Sequence, residues 1–243
     1  MGSFILLLRH TGGFEAGCLL RLVVRIGGSV VASPLDPTLI NRYVELLVDL
    51  KRQGYEVAAV VGGGSLSREL IRVAKSMGLG ESAQDNVAIS VSRVLAQLFG
   101  LKLGKSGVLP VPTTVEVAAE LLEKGRVVVM GGLKPGMTTD TVAALLAERV
   151  RADLLVKATD QEGIYSRDPR RFPDARKLDS LSFEDLSKLF EVDRYVAGIH
   201  QIVDPKAARI LRRRKLKTVV VNGFRPENVL LAVKGERVGT VIS

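Results

Sequence analysis

Three times in its first 140 residues the chain ends an apolar, β-branched run in a cluster of glycines. Residues 23–26 lead into Gly27-Gly28-Ser29, residues 57–61 into Gly62-Gly63-Gly64-Ser65, and residues 127–130 into Gly131-Gly132. Runs of this kind read as buried strands, and in an open α/β sheet ligands bind beyond the carboxyl ends of the strands. Glycine there lets the backbone turn sharply and lets a ligand approach its N–H groups. N–H groups at loop-to-helix junctions hold anions through free donors and the helix dipole. Arg25 puts a charge inside the first run, where apolar residues are expected, and Arg68 follows the second. Both can neutralise phosphates. One such turn carries glycine for structural reasons as readily as functional ones. Three on one sheet edge point to a site that cradles several phosphates.

Asp140, directly after Thr138-Thr139, and Asp204, in Val203-Asp204-Pro205, are the carboxylates of interest. Orienting a cation and capping a helix explain each equally well. The segment from Gly100 to Ser106 imitates a Walker loop, but it has three residues between its glycines instead of four and a helical pattern before it. Gly62-Gly63-Gly64 approaches a dinucleotide fingerprint, whose last glycine position holds Ser67. His10 and His200 lack metal-ligand partners at useful spacing, and the basic run Arg212-Arg213-Arg214-Lys215 reads as a solvated helix face. No Ser–His or Cys–His pair suggests a protein nucleophile.

The elements that must position these residues follow from periodicity and punctuation. Asp36-Pro37 opens a helix that Gly54 closes, and strand 56–61 feeds the second glycine loop, with Ser65 placed to cap the next helix. Asp85 begins a helical run to about Leu101. Thr113-Thr114 caps a helix ending at Gly125, strand 126–130 delivers the third loop, and Thr138 or Thr139 caps helix 140–150. Strand 153–158, helices at about 182–190 and 205–214, strand 217–222, helix 226–233 and strand 238–242 complete the chain. Strands alternating with helices imply right-handed crossovers. The expected fold is a three-layer αβα sandwich with a largely parallel central sheet. Residues 1–20 read as an N-terminal extension and 21–243 as one domain, with halves at about 21–150 and 151–243.

The 243 residues, 47% hydrophobic, can bury a full core. A single cysteine, Cys18, argues against a disulfide framework and fits a reducing cytoplasm. A net charge of +9 suits nucleic acid or a phosphorylated small molecule alike. Aromatics at 5% and no tryptophan leave few stacking platforms for single strands, so no nucleic-acid partner is expected. The apolar stretch 4–8 is too short for a signal peptide or a span, and no membrane association is expected.

The stretches RIGGS (25–29), VVGGGSLSR (60–68), MGGLKPGMTTDTVAALLAE (130–148), ADLLVKATDQEGIYSRDP (152–169), VDPKAARIL (203–211) and GERVGTVI (235–242) together resemble the amino-acid-kinase superfamily and, within it, the archaeal type of uridylate kinases. The resemblance runs from about Arg21 to Ser243. It implies the amino-acid-kinase fold and transfer of the ATP γ-phosphoryl group to UMP. The superfamily also contains kinases of other small acids or phosphates and non-catalytic nucleotide-binding relatives. A TTD triplet after a Gly/Pro loop, and no histidine between 11 and 199, favour UMP.

By position, the resemblance assigns Gly27, Gly28 and Ser29 to the ATP phosphates, with Gly64 and Arg68 beside them. It gives Gly63 and Asp85 to UMP, and Leu133, Lys134, Pro135, Gly136, Met137, Thr138 and Thr139 to the loop over uracil and its phosphate. Thr159, Asp160, Tyr165 and Asp168 would line the adenine and ribose pocket. Arg25 would offset charge on the transferring group, with Asp140 and Asp204 orienting cations or Mg²⁺. The Mg²⁺ would be held mainly by the ATP phosphates, with no protein metal site. A homo-oligomer, a hexamer, is expected. The sequence departs from the family pattern at Arg25, where Lys is frequent, at Asp160, where Asn or Lys is usual, and at Glu162, where Asp is usual.

Overall fold

The β-branched runs have no polar alternation that would leave one face in water, so they pair as a buried, mainly parallel sheet. The computed structural model describes residues 20–186 and 203–243. The expected helix at 182–190 is described only to 186, with helix over residues 183–186, and its remainder lies outside the described residues, as do His10, His200 and all but Leu20 of the expected extension. The strands are β1 (Arg21–Ile26), β2 (Glu56–Val61), β3 (Val128–Met130), β4 (Leu154–Thr159), β5 (Ile164–Tyr165), β6 (Lys177–Leu178), β7 (Ser180–Leu181), β8 (Thr218–Asn222) and β9 (Thr240–Ile242). Seven of them form one sheet in the order β3-β2-β1-β4-β8-β9-β7, while β5 and β6 make a separate antiparallel ribbon. The five strands from β3 to β8 run parallel, and β9 pairs antiparallel to β8.

The described helices are α1 (Gly28–Val31), α2 (Pro37–Arg52), α3 (Gly64–Ser76), α4 (Glu81–Leu103), α5 (Val115–Glu123), α6 (Thr139–Arg149), α7 (Pro205–Arg214) and α8 (Glu227–Val233). One apolar core holds Leu22, Val24 and Ile26 of β1 against α2, α4 and α8. The other holds Val23 and Leu155 against α5, α6 and α7. This is the three-layer sandwich, and alternation along each strand sorts the layers.

Side-chain caps start half of the helices α1 to α8. Asp36 accepts from Leu39 N at 2.9 Å with Pro37 at the first helical position, Thr114 caps α5, and Thr138 accepts from Thr141 N at 3.1 Å to cap α6. Two expectations are corrected. Helix α4 begins at Glu81, four residues before Asp85. Ser65 does not cap α3; it lies inside that helix, its N–H donating to Ser33 Oγ (2.7 Å) and its hydroxyl to Ala32 O (2.9 Å). Helix α4 is long and apolar enough by composition to cross a membrane. Here it packs Leu95, Ala96 and Phe99 into the core, which explains its apolarity.

Candidate active site

The order β2-β1-β4 makes a topological switch point at β1 and β4: the chain leaves β1 toward one side of the sheet and later returns to its other side. A cleft of about 510 Å³ opens there. Its floor is made by two glycine loops in backbone-to-backbone contact. A Cβ on Gly28 would stand 2.1 Å from Gly64 N, and Gly64, at φ +63°, leaves no room for one either. These glycines are required by close approach.

Arg25 and Lys157 are cross-strand partners on β1 and β4. The alternation that puts Val23 and Leu155 on the α6 face puts these two cations there as well. Asp140, in the first turn of α6, meets both. Its Oδ1 lies 2.6 Å from Arg25 Nε, and Lys157 Nζ donates to its Oδ2. Arg25 also donates to Thr139 Oγ1 at 3.0 Å. The three charged side chains are 16%, 6% and 13% exposed for Arg25, Lys157 and Asp140. Burial raises the Asp140 carboxyl, but the Arg25 and Lys157 charges and their hydrogen bonds outweigh it and hold it below the usual carboxylate range. Burial pulls the Lys157 ammonium down to about 8, against the opposing attraction of Asp140. Two cations sharing one carboxylate leave a net positive charge at the head of the sheet.

Of the residues singled out from sequence, Arg25, Gly28, Ser29, Gly63, Gly64, Arg68, Thr139, Thr159 and Asp160 line this cleft. Gly27 stands just behind, its N–H donating to Ala158 O at 2.9 Å. Asp85 and the loop 133–139 form an adjoining rim: Asp85 Oδ2 accepts from Gly136 N at 2.7 Å, and Lys206 Nζ donates to Gly136 O at 2.7 Å. Lys134, Pro135, Gly136 and Thr138 are exposed on that rim, while Leu133 and Met137 are half-buried. Tyr165 and Asp168 are not among the residues lining the cleft; Tyr165 pairs with Lys177 in the ribbon, and Asp168 caps the turn that follows.

Two readings change. The third glycine pair does not face the cleft. A Cβ on Gly131 would lie 2.6 Å from Arg93 N, so these glycines admit the backbone of α4. Ser92 and Arg93 then hold the loop, Ser92 Oγ accepting from Gly132 N (2.8 Å) and Arg93 donating to Gly132 O and Leu133 O, both at 2.9 Å. Asp204 makes no hydrogen bond with Arg25 or Lys157. It caps α7, accepting from Lys206 N and Ala207 N at 2.8 and 3.0 Å, and accepts from the hydroxyls of Thr138 (2.5 Å) and Thr141 (2.9 Å). It fastens α7 to the start of α6, and its charge adds only the smallest of the effects on Lys157.

Sequence reasoning missed Lys157, Gln161 and Arg170, which also line the cleft, while Gly62 of the second glycine loop lines it as expected. Lys157 carried the same signal as Arg25, a charge inside a buried run. Arg170 sits in a polar stretch that reads as surface and carried none. Among the described residues no group of three or more His, Cys, Asp or Glu is arranged to hold a metal ion.

Residues 20–222 match the family model described as the amino acid kinase family. The uridylate kinase of Methanocaldococcus jannaschii is 41% identical over 225 residues, covering 92% of this chain and 99% of the relative. That of Archaeoglobus fulgidus is 40% identical over 224 residues, covering 92% and 100%. The crystal structure of uridylate kinase from Archaeoglobus fulgidus superposes with a TM-score of 0.82 at 39% identity, over 92% of this chain and 100% of that one. The UMP kinase structure from Bacillus anthracis shares the fold, with a TM-score of 0.78 at 21% identity, over 92% and 95%.

Proposed function

The chain belongs to the amino acid kinase family, and from that premise we propose that it transfers the γ-phosphoryl group of ATP to UMP, giving UDP and ADP. The observation that carries this reading is the pair Arg25 and Lys157, side by side in a cleft lined by two glycine loops and sharing one carboxylate. A UMP phosphate oxygen attacks the γ-phosphorus while the bond from that phosphorus to the bridging oxygen of ADP breaks. The attacking phosphate, with a second pKa near ~6, is ionised at neutral pH and needs no general base. Positioning and charge neutralisation do the rest. Arg25 and Lys157 take up charge on the transferring group, and the N–H groups of the loops at Gly28 and Gly64 hold phosphate oxygens. Asp140 keeps both cations aimed and keeps Lys157 protonated.

Mg²⁺ belongs to the same reading. Asp140 and Asp160 are already paired with cations, so the cleft fits an ion that arrives on the donor phosphates better than one caged by the protein. Such an ion supplies further charge neutralisation on the phosphates.

Asp85 and the rim 133–139 serve UMP. Asp85→Ala, which frees the loop at Gly136, is expected to raise the KM for UMP about tenfold and leave that for ATP unchanged. Steady-state rates with each substrate varied check this, and an unaltered KM for UMP removes Asp85 from the acceptor site.

A homo-oligomer, a hexamer built from dimers, completes the proposal, with the enzyme in the cytoplasm where its nucleotide substrates are. Leu66, Leu70 and Val73 form an exposed apolar stripe on α3 that Met77 continues just past its end, and Val94, Leu98 and Leu101 form one on the adjacent α4. A contiguous patch of this kind can meet its own copy across a two-fold axis. Light scattering should return a multiple of 26.2 kDa, and Leu98→Glu should lower it. Phosphoryl transfer from ATP to UMP, CMP, acetylglutamate, carbamate and isopentenyl phosphate, followed by ADP release, tests the reaction itself. Turnover with another acceptor above that with UMP would overturn it.

A further inference from the structure

Arg170 reaches the cleft from an unusual direction. Its backbone is pinned in the turn that Asp168 caps, where Asp168 Oδ1 accepts from Arg170 N at 2.9 Å and Asp168 O accepts from Phe172 N at 3.0 Å. Its side chain, 59% exposed, crosses the cleft mouth and donates to Asp160 Oδ2 at 2.7 Å. Asp160, at the carboxyl end of β4, keeps a second contact: Thr159 donates to its Oδ1 at 3.2 Å. An ion pair this open to solvent is weak, whereas a guanidinium on phosphate makes two parallel charge-assisted bonds. Arg170 can therefore exchange partners at little cost, and Asp160 is not left without one.

The exchange has a consequence for selectivity. Once Arg170 leaves, the Asp160 carboxylate stands uncompensated on the wall of a cleft built for anions, and it repels whatever has entered. A ligand must bring enough phosphate charge to outbid Asp160. We infer that Asp160 and Arg170 form a counter-ion exchange that admits nucleoside di- and triphosphates to the donor side of the cleft and discourages monophosphates. Here Arg170 is a donor-phosphate ligand in waiting, and Asp160 is the competitor that sets the threshold. This rests on the reading of the cleft as the ATP site.

Calorimetric titration of the full-length protein with ATP, ADP and AMP tests it. Arg170→Ala, which also leaves Asp160 uncompensated, is expected to weaken ATP binding about tenfold and AMP binding only about two- to threefold. Asp160→Asn is expected to do the opposite, tightening AMP binding about three- to tenfold and narrowing the gap between ATP and AMP. Arg170→Lys, which keeps the charge, should recover part of the ATP affinity. A static brace predicts losses in the same direction for both substitutions, and that result overturns the inference, as does unchanged ATP affinity in Arg170→Ala. Failure of the unmodified protein to bind ATP overturns the donor-site reading, and the inference with it.

Discussion

Asp140→Asn is expected to lower kcat about a thousandfold while changing either KM by less than about threefold. Among the described residues the carboxylate is the only anion that bonds both Arg25 and Lys157, and all three side chains are largely buried. Removing one charge from such a cluster usually destabilises by roughly 3–5 kcal/mol, because the others are left buried and uncompensated. Lys157 has a way out. Asp140 is what opposes the downward pull of burial on its ammonium. Without it the ammonium is drawn down further and gives up its proton more readily, so the fold loses less than that figure while the site loses a cation. A melting temperature lowered by only a few degrees, together with the collapse in turnover, is the expected pairing. Near-normal turnover would remove Asp140 from the mechanism.

Lys157 itself carries the second large effect. Burial brings its ammonium down to about 8, so the protonated form that neutralises the transferring group is lost as pH rises through that value. Turnover should fall on an alkaline limb with a midpoint near 8. Lys157→Met is expected to be slower by about 10²–10³-fold at pH 7 and to lack the limb. Lys157→Arg, permanently charged, should lack it too while retaining more activity. Stability moves the other way. In the unfolded chain this lysine holds its proton to about 10.4. Between about 8 and that value the unfolded state binds more protons, and the lysine's contribution to folding stability rises with pH. An alkaline limb in both variants identical to that of the unmodified enzyme would assign the titration to another group.

These two side chains also show how far the sequence could be read. Arg25 was legible because a charge inside Leu22–Ile26 has no place in a core. Lys157 sits in an equally apolar run, but Thr159 and Asp160 follow it closely, and a lysine so near a polar loop reads as part of that loop. Register decides the matter: Arg25 pairs with Lys157 only because β1 and β4 are neighbours, although the two residues stand 132 positions apart in the sequence.

 β1 ends at Ile26 and β4 begins at Leu154, and no local periodicity connects them.

Elsewhere the limits were of the same kind. The caps at Asp36, Thr114 and Thr138 depend on residues within one turn, and those starts could be read directly. Ser65 looked like a cap because its partners, Ala32 and Ser33, come from a distant segment. Gly131 looked like part of a phosphate loop because nothing in the string reveals that α4 crosses behind it. The choice of UMP came from resemblance, not from spacing, and Arg170 offered no pattern at all.

The contact between Gly28 and Gly64 has a mechanical consequence. A junction of two backbones has no side-chain rotamers to rearrange, and each loop continues a strand locked into the sheet by its neighbours. The floor of the cleft therefore moves as one rigid plate. Whatever opening and closing accompanies each turnover falls to the parts held by a few side-chain bonds: the rim tied at Gly136 by Asp85 and Lys206, and the turn that carries Arg170.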